Sequence, residues 1–320
     1  MADAADRRTT EERALSTVEA AVEALRRGEL VILPTETVYG LAADAGNAEA
    51  VARIFEAKGR PRFNPLISHV PDLAAAERLA LFDTVARQLA EAFWPGPLTI
   101  VAPVRPGARV SDLARAGLDT VAVRAPGHEL AQAVLRDFGG PVVAPSANRS
   151  GRPSPTTFDD AVEETGTSAA AALDGGPCRV GLESTVVGVF GGALRLLRPG
   201  AVTRDAITAV AGPVLEAEED AARSPGRLSA HYAPEAPIRL DVSEPEPGEA
   251  YLAFGPAPAG GLVWNLSPRA DLREAASNLF AYLRAADRTR PRGIAVAPIP
   301  EHGLGEAIND RLRRAAGFVG

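Results

Sequence analysis

Short apolar runs alternate with amphipathic segments along most of this chain. Residues 11–27 carry apolar side chains at three- and four-residue spacing, which predicts a helix, and Leu30-Val-Ile-Leu33 then predicts a buried strand. Further strands are predicted at 66–70, 98–104, 120–124, 141–144, 185–190 and 194–197, and further helices at 48–57, 83–93, 128–138 and 203–211. Strands that alternate with helices in this way predict an α/β fold with a sheet covered on its faces.

A second, smaller unit is predicted towards the C-terminus. Residues 213–236 form a polar stretch with Pro and Gly at both ends, which is typical of an interdomain linker. Beyond it, strands are predicted at 237–241, 250–254, 261–265 and 293–298, and helices near 269–287 and at 304–316. Because 320 residues exceed the usual size of one domain, we predict a first domain at 11–212, a linker at 213–236 and a small α/β domain at 237–320.

Composition restricts the partners and the compartment. The net charge of −7 argues against a protein that coats nucleic acid over its whole surface, since nonspecific binding depends on neutralising phosphates. The N-terminal residues are too polar for a signal peptide, and no apolar run approaches the ~20 residues that span a bilayer. We therefore expect a cytoplasmic protein without a membrane partner. The single cysteine, Cys178, excludes an intrachain disulfide framework and a multi-cysteine zinc site.

The chain has one lysine, Lys58, among 34 basic residues. The rest are arginines, so nearly every position that only needs a cation carries arginine. Lysine is a compact charge on a flexible stem, which suits one phosphate oxygen better than the planar fork of arginine does. Lys58 has either a specific role or a chance place on the surface, and composition alone does not decide between them.

Two basic loops contain no carboxylate. Residues 58–69 hold three cations and a histidine, and residues 144–157 hold two arginines and five hydroxyl groups. Clustered cations, hydroxyls and glycine-freed backbone N–H groups are the usual complement to phosphate oxygens. Each loop alone could be a solvated turn, but the two together favour a nucleotide site.

Several standard motifs are absent from the sequence. There is no Gly-Lys-Ser/Thr phosphate loop, no G-x-G-x-x-G and no G-x-S-x-G, and the four histidines show no His-x-x-x-His spacing. Ordinary P-loop hydrolysis, dinucleotide redox chemistry, α/β-hydrolase chemistry and zinc hydrolysis are therefore disfavoured.

Seven ordered segments carry a resemblance to a known family. They are Leu33-Pro-Thr-Glu-Thr-Val-Tyr-Gly-Leu41, Lys58-Gly-Arg-Pro61 with Asn64-Pro-Leu66, Trp94-Pro-Gly-Pro-Leu-Thr99, Val121-Ala-Val-Arg-Ala-Pro126, Pro145-Ser-Ala-Asn148, Glu183-Ser-Thr-Val-Val187 and Leu197-Arg-Pro-Gly200. Together they resemble a YrdC-type domain over roughly residues 11–210. With His231-Tyr-Ala-Pro234 and the small domain, the chain is similar to the two-domain threonylcarbamoyl-AMP synthases. The resemblance implies a twisted mixed sheet with helices, followed by a smaller Rossmann-like α/β domain.

The resemblance also implies an activity and its partners. It implies a nucleotidyltransferase that uses L-threonine, bicarbonate and ATP to make threonylcarbamoyl-AMP and pyrophosphate for tRNA modification. Mg²⁺ would be held mainly by the ATP phosphates rather than by protein ligands. Separate proteins would transfer the threonylcarbamoyl group to tRNA, so tight nucleic acid binding by this chain is not expected.

Site residues follow from the same resemblance. It implies catalytic roles for Lys58, Arg60, Ser146 and Asn148. It implies ATP contacts for Lys58, Arg62, Thr120, Ser146, Ser154, Arg198, His231 and Tyr232. It implies a threonine pocket made of Thr35, Tyr39, His69, Arg124, Ala144 and Ser184, with Arg124 as the fork for the amino acid carboxylate.

Two other functions stay open at the level of the sequence. A concave basic surface on this fold could bind an RNA backbone, and a carbamoyl-transferring paralogue could share the fold but not the substrate. We also hypothesise that the linker closes over the adenylate and excludes water. Arg227-Leu-Ser-Ala230 stands where many relatives carry Lys-Tyr, which puts the upstream linker contacts in doubt.

Overall fold

The computed structural model describes residues 16–217, 232–258 and 260–317. In the first domain these residues form strands β1 (Leu30–Leu33), β2 (Gly40–Asp44), β3 (Ile67–His69), β4 (Leu98–Pro103), β5 (Thr120–Arg124), β6 (Val142–Val143), β7 (Ala169–Ala172), β8 (Thr185–Phe190), β9 (Ala193–Arg198) and β10 (Leu215–Glu216). The helices are α1 (Val18–Arg26), α2 (Ala48–Lys58), α3 (Leu73–Ala76), α4 (Thr84–Phe93), α5 (Glu129–Phe138), α6 (Phe158–Thr165) and α7 (Arg204–Ala211), with a short 3₁₀ turn at Gly166–Ser168.

The ten strands form one mixed sheet in the order β10-β9-β8-β4-β5-β3-β6-β2-β1-β7. β3 runs parallel to β5 and antiparallel to β6, and its register sets His69 opposite both Arg124 and Val142. Central strands such as β1 and β5 are buried along their whole length, because helices cover both faces of the sheet. The sheet therefore brings a histidine and an arginine from separate strands side by side at one edge of the core.

Helix ends fix the positions of two segments that matter for the site. α1 begins at Val18 rather than at 11, because Thr17 is its N-cap and accepts a hydrogen bond from the Ala20 N–H. The predicted residues 11–15 of that helix lie outside the described part. α2 ends at Lys58, since Gly59 adopts a left-handed conformation with φ of 59°. This end carries the one lysine of the chain into the interior.

The second domain has a parallel sheet. Strands β11 (Ile238–Arg239), β12 (Glu249–Phe254), β13 (Val263–Ser267) and β14 (Gly293–Val296) are ordered β11-β14-β12-β13, and all three pairings are parallel. Helices α8 (Leu272–Arg288) and α9 (Leu304–Ala315) pack against each other, and their apolar faces join the core. The predicted fold class, a mixed α/β sheet with helices plus a smaller α/β domain, is confirmed.

The two domains share apolar and ionic contacts. Val38 and Leu182 of the first domain belong to the hydrophobic cluster of the second, and Arg284 on α8 pairs with Glu164 on α6 at 3.0 Å, with both side chains buried. Leu215 and Glu216, inside the predicted linker, pair with β9 as an edge strand. The domain boundaries stay a prediction. None of the helices in the described ranges is long and apolar enough to cross a membrane.

Candidate active site

A small cavity lies where the two basic loops meet the ends of β3, β5 and β9. Its walls come from the first domain, except for Tyr232, which belongs to the predicted linker. The lining residues are Thr37, Val38, Arg60, Pro65, Leu66, Ile67, His69, Arg124, Ala144, Pro145, Ser146, Glu183, Ser184, Arg198 and Tyr232. The cavity has a volume of about 60 Å³, which is room for a few water molecules. Eight of the residues predicted from the sequence meet in these walls.

Arg124 is held at the end of β5 by three acceptors. Its Nη2 donates to Glu36 Oε1 at 2.6 Å, its Nη1 to Thr37 Oγ1 at 2.9 Å and its Nε to the Gly96 carbonyl at 3.1 Å. Burial opposes ionisation of Glu36, but the charge and hydrogen bond of Arg124 outweigh it, and the pKa of Glu36 is lowered. Each terminal nitrogen of Arg124 keeps one further N–H, so the guanidinium can still bind a carboxylate.

His69 and Ser184 form the neutral part of the wall. Burial, reinforced by the nearby Arg124 charge, lowers the pKa of His69 to about 3, so the imidazole is neutral at physiological pH. Its Nδ1 is buried and makes no hydrogen bond with any described residue. The Ser184 hydroxyl lies 2.7 Å from the Thr99 hydroxyl. Neutral groups beside Arg124 suit the polar but uncharged portion of an amino acid.

The other side of the cavity is strongly basic. Burial lowers the pKa of Arg60 to about 10, and its Nε makes no hydrogen bond within the described ranges. Arg198 is 5% exposed and donates to the Ser184 carbonyl at 2.8 Å. Tyr232 is 1% exposed, and burial raises the pKa of its hydroxyl to about 12. Buried Arg198 and half-buried Arg60, close to a phenol, form a site for the oxygens of an anion.

Lys58 lies directly behind this wall. Its Nζ donates to the Ser146 carbonyl at 2.5 Å and to the Asn148 carbonyl, and the Asn148 amide donates to the carbonyls of Arg149 and Arg152. Burial, with a smaller effect of the Arg60 charge, holds the pKa of Lys58 well below its usual range. Lys58 thus fixes the loop whose residue Ser146 lines the cavity.

Other predicted residues lie away from the cavity walls. Arg62 is exposed, and Thr120 begins β5, about 13 Å from Arg124 at the usual rise of a strand. Tyr39 is buried, but its hydroxyl bonds the Gly175 N–H and the Gly176 carbonyl. Thr35 and Ser154 are also buried behind the walls. His231 lies outside the described residues.

Thr35 and Ser154 still act on the wall through hydrogen bonds. The Thr35 hydroxyl accepts the Thr37 and Val38 N–H groups, so it shapes the turn that lines the cavity. Ser154 donates to Glu183 Oε1 at 2.5 Å. Glu183 also lines the cavity but was not predicted as a site residue, although its place beside Ser184 in the Glu-Ser-Thr segment was a signal for it.

The fold and this site define a two-domain α/β protein with a small basic cavity suited to an anionic small molecule. A family profile described as Telomere recombination, the Sua5/YciO/YrdC profile, matches residues 23–200. A second, described as Threonylcarbamoyl-AMP synthase, C-terminal domain, matches residues 202–317.

Relatives match almost the whole chain. A threonylcarbamoyl-AMP synthase of Bacillus subtilis is 40% identical over 92% of this chain and 91% of its own length, and one of Pyrococcus abyssi is 40% identical over 92% of both. The crystal structure of P. abyssi Sua5 complexed with L-threonine superposes with a TM-score of 0.87 at 38% identity, covering 94% of each chain. The chain belongs to the threonylcarbamoyl-AMP synthase family. The predicted family and the predicted enzyme class, nucleotidyltransferase, are confirmed.

Proposed function

We propose that this chain makes threonylcarbamoyl-AMP from L-threonine, bicarbonate and ATP. The observation that carries the proposal is the set of arginines, buried Arg124 and Arg198 with half-buried Arg60, that line one cavity together with hydroxyl groups. Two relatives matched over more than nine-tenths of their length bear the name of this synthase. The reaction needs one carboxylate and one polyphosphate in contact, and the cavity has a basic group for each.

The threonine end of the cavity is the Arg124 side. The amino acid carboxylate would bind the remaining N–H groups of Arg124, whose plane is fixed by Glu36, Thr37 and Gly96. Neutral His69 and Ser184 would face the hydroxyl and the carbamate of the substrate. Thr35, Tyr39 and Ala144 complete the proposed threonine pocket, with Thr35 and Tyr39 acting from behind the wall.

The phosphate end of the cavity is the Arg60 and Arg198 side. Threonine and bicarbonate combine to N-carboxythreonine with loss of water. A carbamate oxygen then forms a bond to the α-phosphorus of ATP while the bond from that phosphorus to the bridging oxygen breaks, and pyrophosphate leaves. Positioning and neutralisation of spreading phosphate charge are the protein's main contributions to such a transfer.

Lys58, Arg60, Ser146 and Asn148 stay the proposed catalytic residues. The ammonium of Lys58 has three donors, of which two bind carbonyls of the loop 146–148. The third could reach a phosphate oxygen once the loop opens. The remaining proposed ATP contacts are Arg62, Thr120, Ser154, His231 and Tyr232. Those that do not line the cavity require a site wider than this cavity.

The small volume of the cavity implies movement when ATP binds. A volume of about 60 Å³ cannot hold a nucleotide, and Tyr232 forms part of the wall. We therefore propose that the chain around Tyr232 moves out to admit ATP and then returns to exclude water from the adenylate, a mixed anhydride that hydrolyses readily.

Mg²⁺ is proposed to enter with ATP, where it would neutralise phosphate charge. Glu36 and Glu183, the carboxylates beside the cavity, are each paired with an arginine. No group of three His, Cys, Asp or Glu side chains suited to a metal occurs in the described ranges. This donor set fits an ion whose ligands are mainly phosphate oxygens and water, as Mg²⁺ prefers.

The product is proposed to serve tRNA modification, with separate proteins that transfer the threonylcarbamoyl group to tRNA. A net charge of −7 agrees with a protein that hands over a small molecule rather than one that binds tRNA tightly.

The test is pyrophosphate release by the purified protein with ATP and magnesium, with threonine and bicarbonate omitted in turn. We expect release to require both, to fall to background in Lys58→Ala and to persist in Arg26→Gln, a control at an exposed cation of α1. Pyrophosphate release without threonine would support the nucleotide site but show that threonine is not the substrate. No release at all would refute the synthase and favour RNA binding or a carbamoyl-transferring paralogue.

A further inference from the structure

The second domain reaches the cavity through one buried arginine. Arg311 lies on α9 and is 1% exposed, and its Nε donates to Glu183 Oε2 at 2.8 Å. Glu183 lines the cavity, and its other oxygen accepts the Ser154 hydroxyl proton at 2.5 Å. A side chain of one domain thus holds a cavity-lining carboxylate of the other.

The same arginine supports Tyr232. The Arg311 guanidinium carbon lies 5.4 Å from the centroid of the Tyr232 ring, within the range of a cation–π contact. The Phe280 ring of α8 packs against Tyr232 with a centroid distance of 5.3 Å. Both contacts come from the second domain, so its helices determine where this part of the cavity wall lies.

Arg311 also sets the charge near the phosphate end. Burial opposes ionisation of Glu183, but the charges of Arg311 and Arg198 and the Ser154 hydrogen bond outweigh it and lower the pKa of Glu183 to about 2. Glu183 is therefore ionised at neutral pH. Without Arg311, Glu183 would keep the Arg198 charge but lose its ion-pair partner, and it would repel ATP phosphates more strongly, because Coulomb interactions are weakly screened in the interior.

The two domains are in backbone contact beside this pair. A Cβ placed on Gly181, two residues before Glu183, would lie 2.5 Å from the Ser277 Cα on α8. Gly181 also has a φ of 72°, which other residues rarely adopt. Since neither side can shift freely, the position of Glu183 relative to Arg311 is fixed by the docking of the domains.

We propose that Arg311 is a positioning residue for ATP. It neutralises and orients Glu183 and supports Tyr232, so that nucleotide affinity depends on the docked second domain. This inference rests on the proposed function and assigns the second domain a part in it.

The first test separates the Michaelis constant from turnover. We expect Arg311→Met to raise the KM for magnesium–ATP at least ten-fold while kcat and the KM for threonine change less than three-fold. Arg288→Gln is the docking control: Arg288 on α8 also pairs across the domains, with Asp160 and Glu163, but at the surface. Arg288→Gln should leave both the KM for magnesium–ATP and the KM for threonine unchanged. An unchanged KM for ATP in a folded Arg311→Met protein would overturn the proposal.

The second test removes the carboxylate. Gln in place of Glu183 still accepts the Ser154 hydroxyl but carries no charge, so Glu183→Gln in the Arg311→Met background should recover most of the lost ATP affinity. Glu183→Gln alone should lower the KM for ATP, because one negative charge leaves the phosphate end while Arg311 stays in place, paired with Asp310 at 2.5 Å. A KM for ATP that is higher in the double variant than in Arg311→Met would show a merely structural role and overturn the proposal. An unchanged or raised KM for ATP in Glu183→Gln alone would also overturn it, and this result is available even if Arg311→Met does not fold.

The assay of the wild-type protein distinguishes a failure of the proposed role of Arg311 from a failure of the proposed function. If the wild-type protein releases pyrophosphate only with threonine and bicarbonate but these variants behave otherwise than stated, the role of Arg311 fails and the synthase stands. If the wild-type protein shows no such dependence, the proposed function itself fails. Equilibrium binding of a non-hydrolysable ATP analogue to the same variants then decides whether Arg311 governs nucleotide affinity.

Discussion

Replacing Glu36 with glutamine tests the geometry at the threonine end of the cavity. Arg124 and Glu36 are each 4% exposed and form a salt bridge of 2.6 Å. The carboxylate also accepts a backbone hydrogen bond from Gly127. Glutamine keeps the size of the side chain and one acceptor for Arg124, but it removes the counter-charge from a buried guanidinium.

The expected loss follows from the burial of the pair. Breaking a buried ion pair by removing one partner costs about 3–5 kcal/mol of unfolding free energy, because the other charge is left uncompensated. At roughly 2–4 °C per kcal/mol for a domain of about 200 residues, the melting temperature should fall by roughly 6–20 °C. The matched control is Glu23→Gln, which breaks an exposed pair with Arg26 and should cost less than about 0.5 kcal/mol.

The assay is chemical and thermal unfolding of the three proteins between pH 3.5 and 8. The pKa of Glu36 is lowered in the folded state, so its contribution is fully present above the usual carboxyl pKa and is lost as pH falls through the folded pKa. The difference in unfolding free energy between the wild type and Glu36→Gln should therefore be constant around neutral pH and become smaller in acid. Saturating threonine should stabilise the variant more than the wild type, since the substrate carboxylate replaces the missing charge.

Two results would refute this reasoning. If Glu36→Gln lowered the free energy of unfolding by less than about 0.5 kcal/mol, as the exposed control should, the pair would contribute no more than a solvent-exposed ion pair. If the free energy of unfolding fell by the expected amount of about 3–5 kcal/mol but threonine gave the variant no extra stabilisation, the buried ion pair would be supported. Arg124 would then not belong to the threonine pocket.

Further predictions use other groups of the site and the core. Lys58→Arg should reduce pyrophosphate release at least 100-fold with a far-UV circular dichroism spectrum unchanged, and near-normal turnover would refute a specific need for lysine. His69 should show no imidazole titration between pH 5 and 8 by NMR, since its pKa is lowered to about 3, and a midpoint near its ordinary value would contradict its burial. Cys178 is buried and its thiol pKa is raised to about 12, so iodoacetamide at pH 8 should alkylate it only after unfolding, and fast labelling of the native protein would contradict this.

The sequence predicts strands well where branched apolar residues form them. β5 at Thr120–Arg124 and β8 at Thr185–Phe190 have the predicted bounds. β7 at Ala169–Ala172 was not predicted, because four alanines carry little preference for a strand. It forms because β1 offers it a parallel partner, as the pairing of Val31 with Ala171 shows. Such a strand depends on a contact between segments that are far apart in the sequence.

The candidate site, like the strands, could be predicted from the sequence only in part. The motif residues Arg60, Arg124 and Arg198 all line the cavity, although only Arg60 lies in one of the two acid-free loops. Motifs do not show which neighbour faces inward: Tyr39, whose hydroxyl bonds the 175–176 turn, is not one of the residues that line the cavity, and its place in the threonine pocket stays a prediction. Arg311 was missed altogether, because its partner Glu183 is 128 residues away and α9 shows only an ordinary amphipathic pattern.

The one lysine of the chain has a physical reason in its surroundings. Two backbone carbonyls, of Ser146 and Asn148, converge on the Lys58 Nζ from a single turn of chain. An ammonium directs three donors from one atom and can bind both carbonyls at close range, whereas a guanidinium spreads its donors over a planar fork and would displace the loop. Ser146 would then leave the cavity wall. A chain that uses arginine at its other basic positions therefore keeps lysine where a small buried charge must hold two oxygens, which favours a specific role over chance survival on the surface.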